Sequence, residues 1–171
     1  MRVYVALGGN IGNTREVFIQ ALEHIACMPT THSLLISRLY RNPAISEVAQ
    51  PDYLNAAVSF ETDLSVKELW NGLESIEKKL GKVPKEKDHP RVIDLDLLFY
   101  GDFHYKEEDL EIPHPRWKER LFVLIPLLDL TERSHLSAAK TERILQLIAT
   151  FSKKEQQLIH CLGDLDGKRT R

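Results

Sequence analysis

Residues 65–100 read SVKELWNGLESIEKKLGKVPKEKDHPRVIDLDLLFY, and they predict a capped helix that leads through a basic loop into a strand. The opening SVKE has the spacing of a capping box, and Gly81 has the position of a helix C-terminal stop. The helix face is apolar at Val66, Leu69, Trp70, Leu73, Ile76 and Leu80. Ile93, Leu95, Leu97 and Phe99 then alternate with two acids, which is typical of a half-buried strand.

The sequence before this stretch predicts three further strands and one further helix. Residues 3–7 and 53–62 alternate between apolar and polar or small side chains, and residues 34–40 are rich in apolar and aromatic ones. Asn13 and Glu16 have the spacing of a helix N-cap and its partner. The order β-α-β-β-α-β predicts a ferredoxin-like α+β sandwich, an antiparallel sheet with helices packed on it.

The rest of the chain predicts C-terminal additions to this sandwich. The apolar segment 121–130 is interrupted by a proline, and a helix is predicted near residues 141–151. The apolar run 158–162 predicts a terminal strand, and we expect the helix and this strand to complete the core. Because residues 163–171 are polar and charged, we expect a flexible tail after a single domain of residues 1–162.

The composition is that of an ordinary soluble protein. The chain has 171 residues and a formal net charge of −2, so there is no electrostatic case for binding a nucleic acid or a membrane surface. No segment approaches the length of a membrane span and the N-terminus lacks the apolar core of a signal peptide, so we expect a cytoplasmic protein. Cys27 and Cys161 have no metal-site or disulfide spacing, and we expect both to be buried thiols.

Asp94 and Asp96 are the first candidates for a functional site. Residues two apart on a strand point to the same face, so these carboxylates lie about 6.5–7 Å apart along the backbone. A divalent cation would turn their repulsion into attraction, and carboxylates commonly hold magnesium beside substrate phosphates. The alternative is two solvated acids on an exposed sheet face, which is the more frequent role of such an isolated pair.

Two neighbouring segments carry weaker signals. Residues 8–12, GGNIG, match neither the P-loop nor the dinucleotide-binding pattern, and a tight turn is the simpler interpretation. Lys82, Lys85, Lys87 and Arg91 precede the acid pair, and such a charge run is more often a solvated face. Beside a metal site, the same cations would neutralise charge on a transferring phosphoryl group.

Several short motifs resemble those of the 6-hydroxymethyl-7,8-dihydropterin pyrophosphokinase family, and they occur in the family order across most of residues 3–130. They are residues 40–43 (YRNP), 50–56 (QPDYLNA), 94–102 (DLDLLFYGD), 113–116 (PHPR) and 119–127 (ERLFVLIPL). The resemblance implies a ferredoxin-like fold and transfer of pyrophosphate from ATP to the hydroxymethyl group of the pterin, with release of AMP, in folate biosynthesis. It also implies a monomer that acts on small molecules.

The resemblance assigns roles to individual positions. Asp94 and Asp96 match the pair that binds two magnesium ions, and Arg91 and Lys82 complete the catalytic group. The pterin would be bound by Asn42, Pro43, Ile45, Tyr53, Asn55 and Phe122. ATP would be bound by Glu77, Lys85, Leu97, His114, Arg116 and Arg120.

Ordinary structural roles remain open for several of these positions. Tyr53 and Phe122 would equally suit core packing. Asn55 could satisfy backbone groups, which is how most such side chains are used. On helix spacing Glu77 would be a surface charge, and His114 between two prolines could be a turn residue.

The basic loop departs from the family pattern, in which arginines usually occupy the positions of Lys82 and Pro84, and a Trp-Gly pair those of Asp88 and His89. Lysine lacks the planar fork that grips phosphate bidentately, and proline carries no charge. A catalytically weakened or altered-substrate relative that binds ATP and a pterin is therefore an alternative. A ferredoxin-like RNA-binding module is a remoter one, because the chain has no basic-aromatic RNA-binding pattern.

Overall fold

A computed structural model describes residues 1–44, 49–83, 90–131 and 138–165 of the chain. Its strands are β1 (Arg2–Gly9), β2 (His32–Ile36), β3 (Arg38–Asn42), β4 (Tyr53–Glu61), β5 (Asp94–Tyr100), β6 (Tyr105–Lys106), β7 (Glu111–Ile112) and β8 (His160–Asp164). Its helices are α1 (Thr14–Ala26), α2 (Val66–Lys79), α3 (Leu121–Thr131), α4 (Ala138–Ala149) and α5 (Lys153–Gln157), with a 3-10 turn at Trp117–Glu119. In these four ranges, no helix has the length and apolar character needed to cross a membrane.

Helices α1 and α2 begin where their capping residues predict. The Asn13 side chain accepts a hydrogen bond from the Glu16 backbone N–H, and Ser65 and Glu68 form a complete capping box. Gly81 follows α2 with a φ of +94°, a left-handed conformation that glycine adopts without strain. Both predicted N-caps and the predicted stop are confirmed.

The main sheet has the strand order β5-β1-β4-β3-β8, and β2 also pairs with β4. All of these pairs are antiparallel. The strand predicted at residues 34–40 is two strands separated by Ser37. The Ser37 N–H donates to the Ala57 carbonyl, and its Oγ accepts from the Ala57 N–H, so the side chain replaces a backbone acceptor at this break.

Apolar clusters fill both faces of the sheet. On one face, α1 and α2 bury Phe18, Ile25, Leu69 and Leu73 against the strands. On the other face, α3 and α4 do the same with Val123, Leu124, Leu127, Leu130 and Ile144. Helices of the C-terminal part therefore cover the face that the first two helices leave open.

A bulge in β5 changes the face that its apolar residues occupy. Tyr4 pairs with Phe99 and Val5 with Leu97, so Leu98 is the additional residue. Leu97 packs with α1 and α2, whereas Leu98 and Phe99 both pack with α3 and α4. The predicted alternation is correct through Leu97 and wrong at Phe99, because the bulge reverses the side-chain directions after it.

The C-terminal part differs from the prediction at two positions, one inside α3 and one at the end of β8. Helix α3 runs through Pro126, where an interruption was expected. Strand β8 continues to Asp164, so the boundary expected after residue 162 falls inside a strand, and the next residue, Leu165, is buried. The rest of the expected tail, residues 166–171, lies outside the described residues.

Cys27 and Cys161 are both exposed, so the expectation of buried thiols is wrong. Cys27 is the C-cap residue of α1, just beyond the buried face of that helix. Cys161 lies on β8, whose first three residues are exposed. The terminal strand extends the sheet, but its first three residues add little to the core.

Candidate active site

A cleft opens where β1, β4 and β5 meet the start of α3. The strand register pairs Gly8 with both Asn55 and Asp94. It also pairs Ala6 with Asp96, so two small residues of the central strand, Ala6 and Gly8, lie opposite the aspartates. The cleft has a volume of about 350 Å³. Its lining is Ala6, Leu7, Gly8, Asn42, Gln50, Tyr53, Asn55, Arg91, Asp94, Asp96, Arg116, Glu119, Arg120, Phe122 and Val123.

Both aspartates of β5 face basic side chains. Lys82 Nζ lies 2.7 Å from Asp94 Oδ1, and the Arg91 guanidinium donates to Asp94 Oδ2. Arg120 Nη1 donates to Asp96 Oδ2 over 2.9 Å. The Asp94 and Asp96 side chains are 19% and 35% exposed, so these ion pairs remain within reach of an incoming charged ligand. The interpretation of two merely solvated acids is wrong for the described residues.

Glu77 is a buried carboxylate behind this pair. Its Oε1 accepts from the Lys82 ammonium over 2.8 Å and from the Leu95 backbone N–H over 2.6 Å. Burial raises the pKa of the Glu77 carboxyl above its ordinary value, and the bonds from Lys82 and Leu95 oppose that rise. Burial lowers the pKa of the Lys82 ammonium, but its bonds to Asp94 and Glu77 outweigh burial and raise it overall. Glu77 is therefore not the surface charge that helix spacing allowed.

The other end of the cleft carries two aromatic side chains and two amides. Tyr53 begins β4 and Phe122 lies in the first turn of α3, so the two rings enter the cleft from different elements. Asn55 donates to Asn42 Oδ1 over 2.5 Å, and Asn42 donates to the Pro43 carbonyl over 2.9 Å. Both amides are nearly buried. Aromatic faces beside a fixed amide can bind a flat ring that has hydrogen-bonding groups on its edge.

Asn10 connects the two ends of the site, although sequence analysis assigned it only to a loop. Its side chain is buried and donates to Gln50 Oε1 over 2.9 Å and to the Pro51 carbonyl over 3.0 Å. Its Oδ1 accepts from the Arg91 N–H over 2.9 Å. Gly9 permits this approach, because a Cβ there would lie 2.5 Å from a backbone oxygen of the segment before β5. The glycine-rich loop thus holds the two neighbouring segments in place.

The donor set at the aspartates fits magnesium, provided that other ligands come from a substrate or from water. Among the described residues, no three or more His, Cys, Asp or Glu side chains form a group that could hold a metal ion. Magnesium usually keeps several waters and uses one or two carboxylates together with substrate phosphates. A pair of partly exposed carboxylates on one strand meets that requirement.

A family model described as 7,8-dihydro-6-hydroxymethylpterin-pyrophosphokinase matches residues 4–132. The chain belongs to this family. It is similar to the 2-amino-4-hydroxy-6-hydroxymethyldihydropteridine pyrophosphokinase of Synechocystis sp., with 38% identity over 144 residues, 84% of this chain and 73% of the relative. The enzyme of the same name from Haemophilus influenzae is 34% identical over 149 residues, 87% of this chain and 92% of the relative.

The fold is similar to that of Plasmodium falciparum HPPK-DHPS, whose crystal structure contains pterin and p-hydroxybenzoate. The TM-score is 0.67 at 14% identity, and the match covers 94% of this chain and 47% of that chain. This chain therefore spans about half the length of that solved protein. At this identity the likeness concerns the fold alone.

The matched part of the pyrophosphokinase family, residues 4–132, contains every predicted site residue. The cleft brings together Asn42, Tyr53, Asn55, Arg91, Asp94, Asp96, Arg116, Arg120 and Phe122. Lys82 and Glu77 lie behind Asp94, and Pro43 accepts the Asn42 amide. Outside the described residues lie Ile45, Pro84, Lys85, Lys87, Asp88 and His89.

Two residues that the pyrophosphokinase resemblance assigned to ATP do not line this cleft, and their assignment stays a prediction. Leu97 is buried in the core beneath α1 and α2, because it lies on the face of β5 opposite to the aspartates. His114 lines a neighbouring cleft, where its N–H donates to the Leu98 carbonyl and its Nδ1 accepts from the Arg116 N–H. Burial lowers the pKa of His114, and Asp96 opposes that shift. His114 thus fastens the segment before α3 to β5.

Sequence reasoning did not assign four polar or small lining residues: Ala6, Gly8, Gln50 and Glu119. Gln50 and Glu119 belong to two of the quoted motifs, so the sequence contained a signal for both. Ala6 and Gly8 reach the cleft through the register of β1, which no short motif reveals.

Proposed function

We propose that this chain transfers a diphosphate group from ATP to the hydroxymethyl group of 6-hydroxymethyl-7,8-dihydropterin, a step of folate biosynthesis. This is the reaction for which its family relatives are named. The alcohol oxygen would form a bond to the β-phosphorus while the bond from that phosphorus to the α–β bridging oxygen breaks. AMP leaves and the alcohol proton is released. The observation that carries this proposal is that one cleft joins an aromatic and amide end to an acidic and basic end.

The aromatic and amide end would bind the pterin. Tyr53 and Phe122 present rings from β4 and α3, and a flat heterocycle can stack against such rings. Asn55 is held by Asn42, so its remaining polar groups have a fixed direction for reading the edge of the ring. The hydroxymethyl group would then point along the cleft towards β5.

The acidic end would bind the triphosphate through two magnesium ions held by Asp94 and Asp96. When bound, magnesium supplies positive charge that neutralises and aligns phosphate oxygens. Arg91, Arg116 and Arg120 line the same end and would donate to phosphate oxygens that the ions leave free. Catalysis would rest on positioning and electrostatic stabilisation, because phosphoryl transfer requires little covalent chemistry from the protein.

We extend the proposal to the fold class and the molecular context. The strand order places β5 and β4 on either side of β1, which supports a ferredoxin-like sandwich with α3, α4, α5 and β8 added to it. The chain would form one domain and act as a cytoplasmic monomer on small molecules alone, as the family resemblance implies.

Release of AMP from ATP, magnesium and hydroxymethyl-dihydropterin tests the function directly. Asp94→Asn and Asp96→Asn should each lower the rate by roughly a hundredfold or more, since each removes charge from the metal-binding pair. Asp102→Asn is the matched control, because Asp102 follows the same strand but its side chain is 93% exposed and paired with Lys140. No AMP from the unaltered chain, or full activity in both strand variants, would refute the proposal.

A further inference from the structure

Three basic side chains from three segments form ion pairs with the carboxylates of β5. Lys82 follows α2, Arg91 precedes β5 and Arg120 precedes α3, and each contacts Asp94 or Asp96. Glu77 is a third acid in contact with Lys82. Among the described residues, this group thus contains three acids and three bases, so its own side chains balance one another in charge.

This balance affects the three possible ligands differently. A free divalent cation would add two positive charges beside three bases, so repulsion would oppose its binding. A free triphosphate would add a large negative charge beside three acids. A nucleotide that carries divalent cations is much closer to neutral, and it offers each acid a metal and each base a phosphate oxygen.

Two contacts would keep the basic groups near the site after they leave the aspartates. Lys82 bonds to Glu77 as well as to Asp94, so it retains one carboxylate when it gives up the other. The backbone of Arg91 is fixed by Asn10 through bonds at both its N–H and its carbonyl. Only the guanidinium of Arg91 therefore needs to turn.

We propose that Lys82, Arg91 and Arg120 act as place-holding cations at the metal-binding aspartates. They disfavour free divalent cations and move to phosphate oxygens when the metal–nucleotide complex enters. Lys82 is thereby a positioning residue with Glu77 as its anchor, and the site selects metal and nucleotide together. This inference rests on the proposed function of the same cleft.

Binding measurements on the nucleotide-free protein test the place-holding directly. Mn²⁺, a paramagnetic substitute for Mg²⁺, is titrated and its free fraction is followed by electron paramagnetic resonance. Lys82→Met should bind Mn²⁺ roughly tenfold more tightly than the unaltered protein, because a competing charge is gone. The same variant should bind the magnesium complex of a nonhydrolysable ATP analogue roughly tenfold more weakly, as measured by calorimetry.

Three further variants make the test specific. Arg120→Gln should shift both affinities in the same two directions, since it frees the other aspartate. Lys82→Arg keeps the charge and should leave Mn²⁺ binding unchanged. Lys140→Met is the matched control, because Lys140 pairs with Asp102 and has a similar exposure, 31% against 35% for Lys82, but lies outside the cleft.

The inference requires that the variants bind Mn²⁺ more tightly and the metal–nucleotide complex more weakly than the unaltered protein. Unchanged or weaker Mn²⁺ binding in both Lys82→Met and Arg120→Gln would overturn the inference, and so would unchanged binding of the metal–nucleotide complex. Neither readout depends on turnover. Failure of the place-holding therefore remains distinguishable from failure of the proposed function, which the release of AMP decides.

Discussion

Asn10 shows how much of the site depends on single buried polar residues. It uses both ends of its amide, so one side chain holds Gln50, the Pro51 carbonyl and the Arg91 N–H in place. Asn55 and Asn42 form a similar buried pair at the other end of the cleft. Groups of this kind are expensive to leave unpaired, so they determine geometry as well as stability.

Replacement of Asn10 should therefore affect activity more than stability alone explains. Asn10→Ala leaves the Arg91 N–H without its acceptor, which costs about 1–3 kcal/mol of unfolding free energy. Because residues 50–51 and Arg91 lose their common anchor, kcat/KM should fall at least about tenfold. Urea denaturation and steady-state kinetics measure the two effects.

Asn13→Ala is the control for this prediction. Asn13 caps α1 from an exposed position, and losing a cap costs roughly 1 kcal/mol without touching the cleft. Its kcat/KM should equal that of the unaltered protein. If Asn10→Ala also kept its kcat/KM, Asn10 would serve stability only.

At the scale of elements, α3 links the aromatic and amide end of the cleft to the sheet. Phe122 lies in its first turn, and Asp129 near its end accepts three hydrogen bonds from Arg38 of β3. The Asp129 side chain is only 6% exposed, and its carboxylate raises the pKa of Arg38. The contact fixes the end of the helix against the strand, and we expect it to hold the Phe122 ring, at the start of the same helix, in position.

Arg38→Met should loosen this helix. It removes the guanidinium that pairs with a nearly buried carboxylate, so the unfolding free energy should fall by about 1–3 kcal/mol. KM for the pterin should rise several-fold with little change in kcat, because ground-state binding at Phe122 is affected. Lys67→Met is the control, since the exposed pair of Lys67 and Glu107 should contribute nothing measurable. An unchanged KM for the pterin in Arg38→Met would contradict the link.

Elements defined by local chemistry were predictable from the sequence, and features set by pairing were not. The caps at Asn13 and Ser65 act within one helical turn, so their signals are visible in the chain. The bulge at Leu98 exists only because β5 pairs with β1, and it has no local signal. The same holds for the site: Asp94 and Asp96 stand out by spacing, whereas Asn10 acquires its role through residues far along the chain.

At the scale of the whole molecule, the cleft lies at strand ends that neither of the two apolar clusters covers. Helices α1 and α2 bury one face of the sheet and α3 and α4 the other, so charged side chains collect at the remaining end. Helix α2 connects this end to the core, because Glu68 caps it at an exposed terminus and Glu77 is buried near the other. Two carboxyls of one helix thus differ in surroundings.

This difference predicts opposite pH effects on the stability of the fold. Burial raises the pKa of Glu77 above 4.5, so its contribution is fully present below pH 4.5 and is lost as pH rises through the folded value. Bonds from Ser65 lower the pKa of Glu68, so its contribution is present above pH 4.5 and is lost as pH falls through the folded value.

Urea denaturation of nucleotide-free protein across this range measures both signs. The unfolding free energy of the unaltered protein minus that of Glu77→Gln should decrease as pH rises above 4.5. The same difference taken against Glu68→Gln should increase as pH rises to 4.5. If the difference in unfolding free energy between the unaltered protein and Glu77→Gln instead increased with pH, the bond from Lys82 would affect the pKa of Glu77 more than burial does. The Glu77 carboxylate would then be held as firmly as an exposed cap, and the cost of burying it at the end of the sheet would be fully offset by its cation.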